Sequence, residues 1–389
     1  MTLLVMSEIS NMFNQKLFSF LQVVAQALFS FSFLSTLLKS ANDVDYVDWS
    51  VSFSIASAIF SLNIFSGVLF NKFIASGHYS TNIIFLNAVG LIIISTLMIM
   101  YGLFSNANIY FYLAILFSSV MQLHLSLCNI VDGLGKLIAR CKVQIIIFII
   151  FSLILFFAKH LNVSIGSTII IALLSYTSIG TACVLIITAN KGWDFSVPKY
   201  DWPILISHNS YSIGTSVVQS SIEPLIKYNL LAYGATNLII LFDVSTRIAS
   251  TIRTAIASLN TPLITVWSKK YSQNIFNREL IINIFLALIL NLTYISLSSM
   301  IFSLFFYIEE QNLFFTFIII STYFFMTLQN LPNISNIALN KLERNFYASL
   351  FILISVGVGY FFISNAEYYI FSYLIGCIFS TAYLFNHSS

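Results

Sequence analysis

The sequence predicts an all-α polytopic membrane protein of about twelve transmembrane helices in two six-helix bundles. Three observations carry that reading. Of the 389 residues, 58% are hydrophobic and only 8% charged, where a soluble domain carries about a quarter charged residues. Mean hydropathy is +0.91. The apolar residues also fall into twelve runs, most of them near the twenty or so that a helix needs to cross hydrocarbon.

The first run, 17–39, places Gln22 and Gln26 on one helix face. It is preceded by no basic segment and followed by no small-residue cleavage site, so it reads as a retained helix and not a signal peptide. Runs 49–70 (with Asn63), 81–104 and 109–131 (with Gln122 and His124) come next, then the short run 143–158 and run 167–188. The polar break 189–204 holds Lys191, Trp193, Asp194, Pro198, Lys199, Asp201 and Trp202, a mixture suited to an interfacial linker. It divides the chain into an N-terminal bundle, 1–188, and a C-terminal bundle, 205–389. The second set is 205–231, 236–258, 281–305, 313–335, 346–363 and 367–385.

Orientation follows from Lys and Arg. With the N-terminus inside, twelve of these residues lie in cytoplasmic segments, Lys16, Lys72, Lys136, Arg140 and Lys341 among them; only Lys39 and Lys159 lie opposite. This positive-inside asymmetry places both termini in the cytoplasm. The net charge of +3 reflects topology and gives no sign of nucleic acid. Cys128, Cys141, Cys183 and Cys377 show no paired spacing, so neither a metal site nor a disulfide is expected. No cofactor is expected either, for the chain has no phosphate-cradling glycine loop and no metal-ligand cluster.

Six spans per half means that each half starts on the same side, so any repeat is parallel. Span four exits through Asn129, Asp132, Gly135, Lys136 and Arg140; span ten exits through Asn336, Asn340, Lys341 and Arg344, about 205 residues later. Matching order, sidedness and spacing point to a duplicated six-helix unit.

The intramembrane charges lie in two adjacent spans: Glu223 and Lys227 in span seven, Asp243, Arg247 and Arg253 in span eight. Such residues are costly in hydrocarbon and normally face a bundle interior or a water-filled cavity. At about 1.5 Å per residue, Arg247 falls near the midplane, with Asp243 roughly 6 Å and Glu223 roughly 7–8 Å toward the periplasm. Lys227 falls farther out and Arg253 farther in. One reading is a cationic ladder for an anionic substrate, with carboxylates that hold the guanidinium or titrate. The other is plain neutralisation within the i,i+4 pairs Glu223–Lys227 and Asp243–Arg247, with Arg253 snorkelling to the interface. Pro224 and Pro332 each remove a helix hydrogen bond beside polar residues, Gln219 in one case, Gln329, Asn330 and Asn333 in the other. That suits a kinked, cavity-lining helix or a simple packing kink.

Twelve spans in two halves, with the stretch from Glu223 to Tyr271 (a charge late in span seven, Gly234, an Asp and Arg in span eight, Pro262, Lys269-Lys270), resemble the multidrug/oligosaccharidyl-lipid/polysaccharide exporter superfamily. Within it the chain is most similar to the O-antigen (Wzx-type) flippases. That resemblance implies a MATE-like fold and passage of an undecaprenyl-diphosphate-linked oligosaccharide across a bacterial inner membrane. Arg247, Lys227, Arg253, Gln219, Gln329 and Asn330 are then the substrate-binding candidates, with Glu223 and Asp243 as coupling or charge-pair residues. The implied partners are that lipid-linked sugar, membrane lipid, a polysaccharide polymerase and a chain-length regulator. A multidrug or cation antiporter of the same superfamily is the alternative, and is expected to place a carboxylate in spans one to six, which hold none. A membrane polymerase is the enzyme alternative; it usually carries a large external loop, and none is present.

Overall fold

The computed structural model describes residues 2–61, 82–191, 202–260, 263, 267, 271–306, 308 and 312–386. They form helices α1 (Thr2–Ser40), α2 (Asp43–Phe60), α3 (Asn82–Phe104), α4 (Ile109–Gly133), α5 (Leu137–His160), α6 (Ile165–Lys191), α7 (Trp202–Ala232), α8 (Thr236–Asn260), α9 (Gln273–Ile301), α10 (Leu313–Leu328), α11 (Asn330–Ala338), α12 (Leu342–Phe362) and α13 (Ala366–Asn386). A π-helical turn, Phe302–Phe306, continues α9. Helices satisfy their own backbone groups, which hydrocarbon cannot do. The chain is an all-α, multi-pass membrane protein.

Several boundaries move from their expected places. The second span starts at Asp43, six residues early, because Asn42 caps it by accepting from the Asp45 amide at 2.8 Å. Asp43 and Asp45 then occupy the first turn, where the helix dipole favours negative charge. These aspartates belong to the helix and not to a loop. The short fifth span becomes α5, lengthened at both ends to Leu137–His160. The tenth span is two helices, α10 and α11, meeting at Gln329. Lys72, Asn63, Lys199, Pro262, Lys269, Lys270, Glu309 and Glu310 lie outside the described residues, as does most of the 189–204 break.

The packing of the first half recurs in the second. α1 packs on α5 as α7 packs on α12, α2 on α4 as α8 on α10, α4 on α6 as α10 on α13, and α3 on α4 as α9 on α10. Small motifs repeat too. Asn108 caps α4 through the Phe111 amide at 3.1 Å, and Asn312 caps α10 through the Phe315 amide at 3.0 Å. Gly135 ends α4 at φ +73°, and Asn340 ends α11 at φ +57°. In each case the following lysine amide bonds five residues back, Lys136 to the Val131 carbonyl at 3.1 Å and Lys341 to Asn336 at 2.8 Å.

Among the described residues, nine spans are long and apolar enough to cross a membrane; α2, α7 and α8 do not qualify. Those three helices, with α1, join the two halves: α1 packs on α8, and α2 on both α7 and α8. Shielding by their neighbours offsets what their own composition lacks.

Among the described residues, the interface is more fully covered at one end than at the other. In α8, every residue from Ile239 to Ala249 except Asp243 and Arg247 is buried, whereas from Ser250 to Leu259 only Ile256 is. In α7, five of the nine residues from Ile222 to Leu230 are buried, but from Ser210 to Ser221 only Val218. The uncovered residues there include Thr215, Ser216, Gln219, Ser220, Ser250, Thr251, Thr254 and Ser258, groups that lipid does not solvate. They mark the less covered side of the interface, toward the end that carries both chain termini. At the far end Ser35 of α1 donates to the Phe305 carbonyl in the π-turn, Lys159 donates to Ser35 at 2.7 Å, and Phe31 meets Phe306 edge-on at 6.3 Å. At the termini end a longer ion pair, Lys16–Glu279 at 3.8 Å, joins α1 to α9.

Candidate functional site

The more and the less covered ends meet at a charged cluster. Lys227, 2% exposed, lies between two carboxylates, 2.8 Å from Glu223 and 2.5 Å from Asp243. Its ammonium also donates to Ser54 at 2.7 Å. Three N–H donors meet three acceptors, so none is left over. The long lysine stem crosses the expected offset between levels, and the two carboxylates share one cation.

Asp243 is held further from the other half of the molecule. Tyr46 donates to it at 2.9 Å and Ser50 donates to the same oxygen. Ser54 donates to Glu223 at 3.3 Å and to the Ser50 carbonyl at 2.9 Å. Tyr46, Ser50 and Ser54 are spaced by four residues, so they share one face of α2. A reading confined to charged residues misses these three. The available signal was the hydroxyl at every fourth position, obscured because Tyr46 was assigned to a loop.

Arg247 is left without an ion pair among the described residues, and its side chain is exposed. It sits eleven residues into α8 and thirteen from its end, about 16–20 Å from either by the helical rise. It is exposed at that depth on a helix packed against α1, α2 and α10. Neutralisation of Arg247 by Asp243 is therefore not what the structure shows: Asp243 is committed to Lys227. Phe33, Leu34, Leu37, Tyr46, Trp49 and Phe53 wall the small pocket between Arg247 and the lysine cluster.

The remaining candidates separate. Arg253 Nε donates to Asn330 Oδ1 at 3.4 Å, and Asn330 returns a bond to the Arg253 carbonyl at 3.4 Å. Arg253 thus braces the α10–α11 break instead of merely snorkelling. Gln329 is 4% exposed and donates to Thr381 at 3.0 Å and the Cys377 carbonyl at 3.2 Å. Gln329 and Asn330 are buried braces, whereas Gln219 is exposed while donating to Ser349 at 3.0 Å. Pro332 follows the break, as its missing amide requires, whereas α7 runs through Pro224 without interruption. In the first half, Gln22 donates to Gln26 at 3.0 Å, and buried His124 lies 3.4 Å from Gln144. The four cysteines are free and buried, with Cys128 and Cys183 sulfurs 3.9 Å apart.

No protein-family model matches the chain, and no curated protein matches it. Solved structures do. An inward-facing multidrug resistance MATE family transporter of the MOP superfamily is similar at TM-score 0.68 and 13% identity, covering 93% of each chain. The fold is that of the MATE transporters. The MATE transporter ClbM, solved with Rb+, is similar at TM-score 0.66 and 14% identity, covering 97% of this chain and 94% of that one. The Vibrio cholerae MATE transporter VcmN in its bent form gives 0.63 and 11%, covering 98% and 96%.

Proposed function

We propose that this chain is an alternating-access transporter of the MOP superfamily that moves an anionic, lipid-linked substrate, best matched by undecaprenyl-diphosphate-linked oligosaccharide of a surface polysaccharide. The observation that carries the reading is Arg247. Among the described residues it makes no ion pair and is exposed midway along α8, while both nearby carboxylates bond Lys227. A guanidinium keeps its charge and grips phosphate oxygens with two parallel hydrogen bonds. The basic loops favour a cytoplasmic place for the termini in a bacterial inner membrane, so the less covered end faces the side where such a lipid-linked sugar is made. Polymerase and chain-length regulator act after it, on the far side.

The test is export in cells lacking the protein, with each variant first shown to reach normal abundance. Arg247→Ala abolishes surface polymer and leaves lipid-linked units on the cytoplasmic face; Arg247→Lys, charged but without the fork, restores it in part. Full export by well-expressed Arg247→Ala removes Arg247 from the substrate path. A second reading, multidrug antiport, is favoured by the likeness to multidrug MATE structures and by Glu223, whose side chain is 50% exposed. Under it, expression raises resistance to cationic compounds, Glu223→Gln cancels that resistance, and surface polymer is unaffected.

A further inference from the structure

The charged cluster binds the halves together as well as lying between them. Glu223, Lys227 and Asp243 all belong to α7 and α8 of the second half, and Tyr46, Ser50 and Ser54 all belong to α2 of the first. The bonds Tyr46–Asp243, Ser50–Asp243, Lys227–Ser54 and Ser54–Glu223 therefore all cross from one half to the other. They sit where burial of α7 and α8 begins, at the lower edge of the more covered end. Nearer the termini, Ser61 and Ser220 hydroxyls meet at 2.5 Å, again from α2 to α7.

We infer that the Tyr46–Ser50–Ser54 hydroxyl face of α2, seated on the Glu223–Lys227–Asp243 triad, is the lock that holds the far end of the molecule closed. Opening that end separates α2 from α7 and α8, and each hydroxyl must then exchange a charged partner for water. The triad itself stays intact, since all its members move with one half. The ion pairs stay inside the second half, and the neutral hydroxyls set how firmly the halves adhere. Ser57, on the same helix, meets Ser118 of α4 at 3.3 Å, inside the first half, so it takes no part in the lock. The inference draws its purpose from the transporter reading, but the lock is measurable without any substrate.

Spin labels at Val44→Cys on α2 and Asn237→Cys on α8, both exposed at the far end, report the separation of the halves in purified full-length protein. The four native cysteines are at most 5% exposed and stay in place. The parent gives one dominant short distance. Because hydrogen bonds to charged groups are the stronger class, Ser50→Ala with Ser54→Ala lowers the ratio of closed to open forms by about tenfold or more, seen as a growing long-distance population. Ser50→Thr with Ser54→Thr keeps the hydroxyls and the parental distribution. Tyr46→Phe keeps the ring, gives a smaller shift in the same direction, and serves as the readout if the double alanine variant does not assemble. The lock is refuted if the alanine and Tyr46→Phe variants keep the parental distances. It is equally refuted if Ser57→Ala shifts them as far as Ser54→Ala. Failure of export assays alongside a shifted distance distribution overturns the substrate reading and leaves the lock standing.

Discussion

The two halves are built alike and carry their polar chemistry in different places. At the α4–α5 turn of the first half, Arg140 bonds Asp132 at 2.6 Å and also donates to Gln144. The same place in the second half holds an amide pair, Asn336 donating to Asn345 at 2.7 Å. Deep in the bundle the contrast reverses: the second half carries Glu223, Lys227, Asp243 and Arg247, and the first answers with hydroxyls and aromatic rings. The ion pair at the turn only has to hold helices of one half together. The deep charges face a partner that must let go, and a neutral hydroxyl is released into water more easily than a countercharge.

The largest expected break of this contrast is Lys227→Met. It strands the largely buried Asp243 beside the half-exposed Glu223 and costs about 3 kcal/mol, read as loss of membrane abundance and of the melting transition in detergent. Adding Glu223→Gln and Asp243→Asn recovers most of that stability; a triple variant as unstable as the single one refutes the triad as one ion-paired unit. Next in size are the two turns. Arg140→Ala lowers stability by about 1.5–3 kcal/mol and Asn345→Ala by about 1, because hydrogen bonds between charged groups are the stronger. Equal losses in thermal melts erase the difference between the halves. Gln329→Ala sharpens the site boundary: stability falls by about 1–2 kcal/mol from the unpaired groups, while export per folded molecule is unchanged. Reduced export at normal abundance returns Gln329 to the substrate path. The smallest effect is at the left-handed turn residues. Gly135→Ala costs about 1–2 kcal/mol, whereas Asn340→Gly stays within about 0.5 kcal/mol of the parent, both from chemical melts.

The span count and the recurrence of the exit turns were legible because hydropathy and left-handed Gly or Asn positions are local properties. Helix ends were less so: the Asn42 cap outweighs the low hydropathy of Asp43–Asp48, and the α10–α11 break required weighing Pro332 against an otherwise apolar run. Of the two i,i+4 pairings the sequence offers as one reading of these charges, the structure forms one. The i,i+4 rule held for Glu223–Lys227 and failed for Asp243–Arg247, because Lys227 on the neighbouring helix reaches Asp243 first. The hydroxyl face of α2 escaped notice since serine is unremarkable until its partner is known. Gln329 and Asn330 were identified as polar and membrane-embedded, but nothing in a single chain says that their partners lie on α13 and α8.

The charges carried by α7 and α8 have a consequence for how the chain is made. Entering the bilayer alone, α7 brings Glu223 and Lys227, and α8 brings Asp243 and Arg247, each charge at a cost of about 2.5–3.5 kcal/mol near the centre. Entering together as a hairpin through the turn at Gly234, they set Lys227 against Asp243 as well as Glu223. The hairpin is thus the natural unit of insertion. By the time it arrives, α2 has already been synthesised and waits with its hydroxyls unpaired, so the two halves meet for the first time at the contacts that later hold them closed.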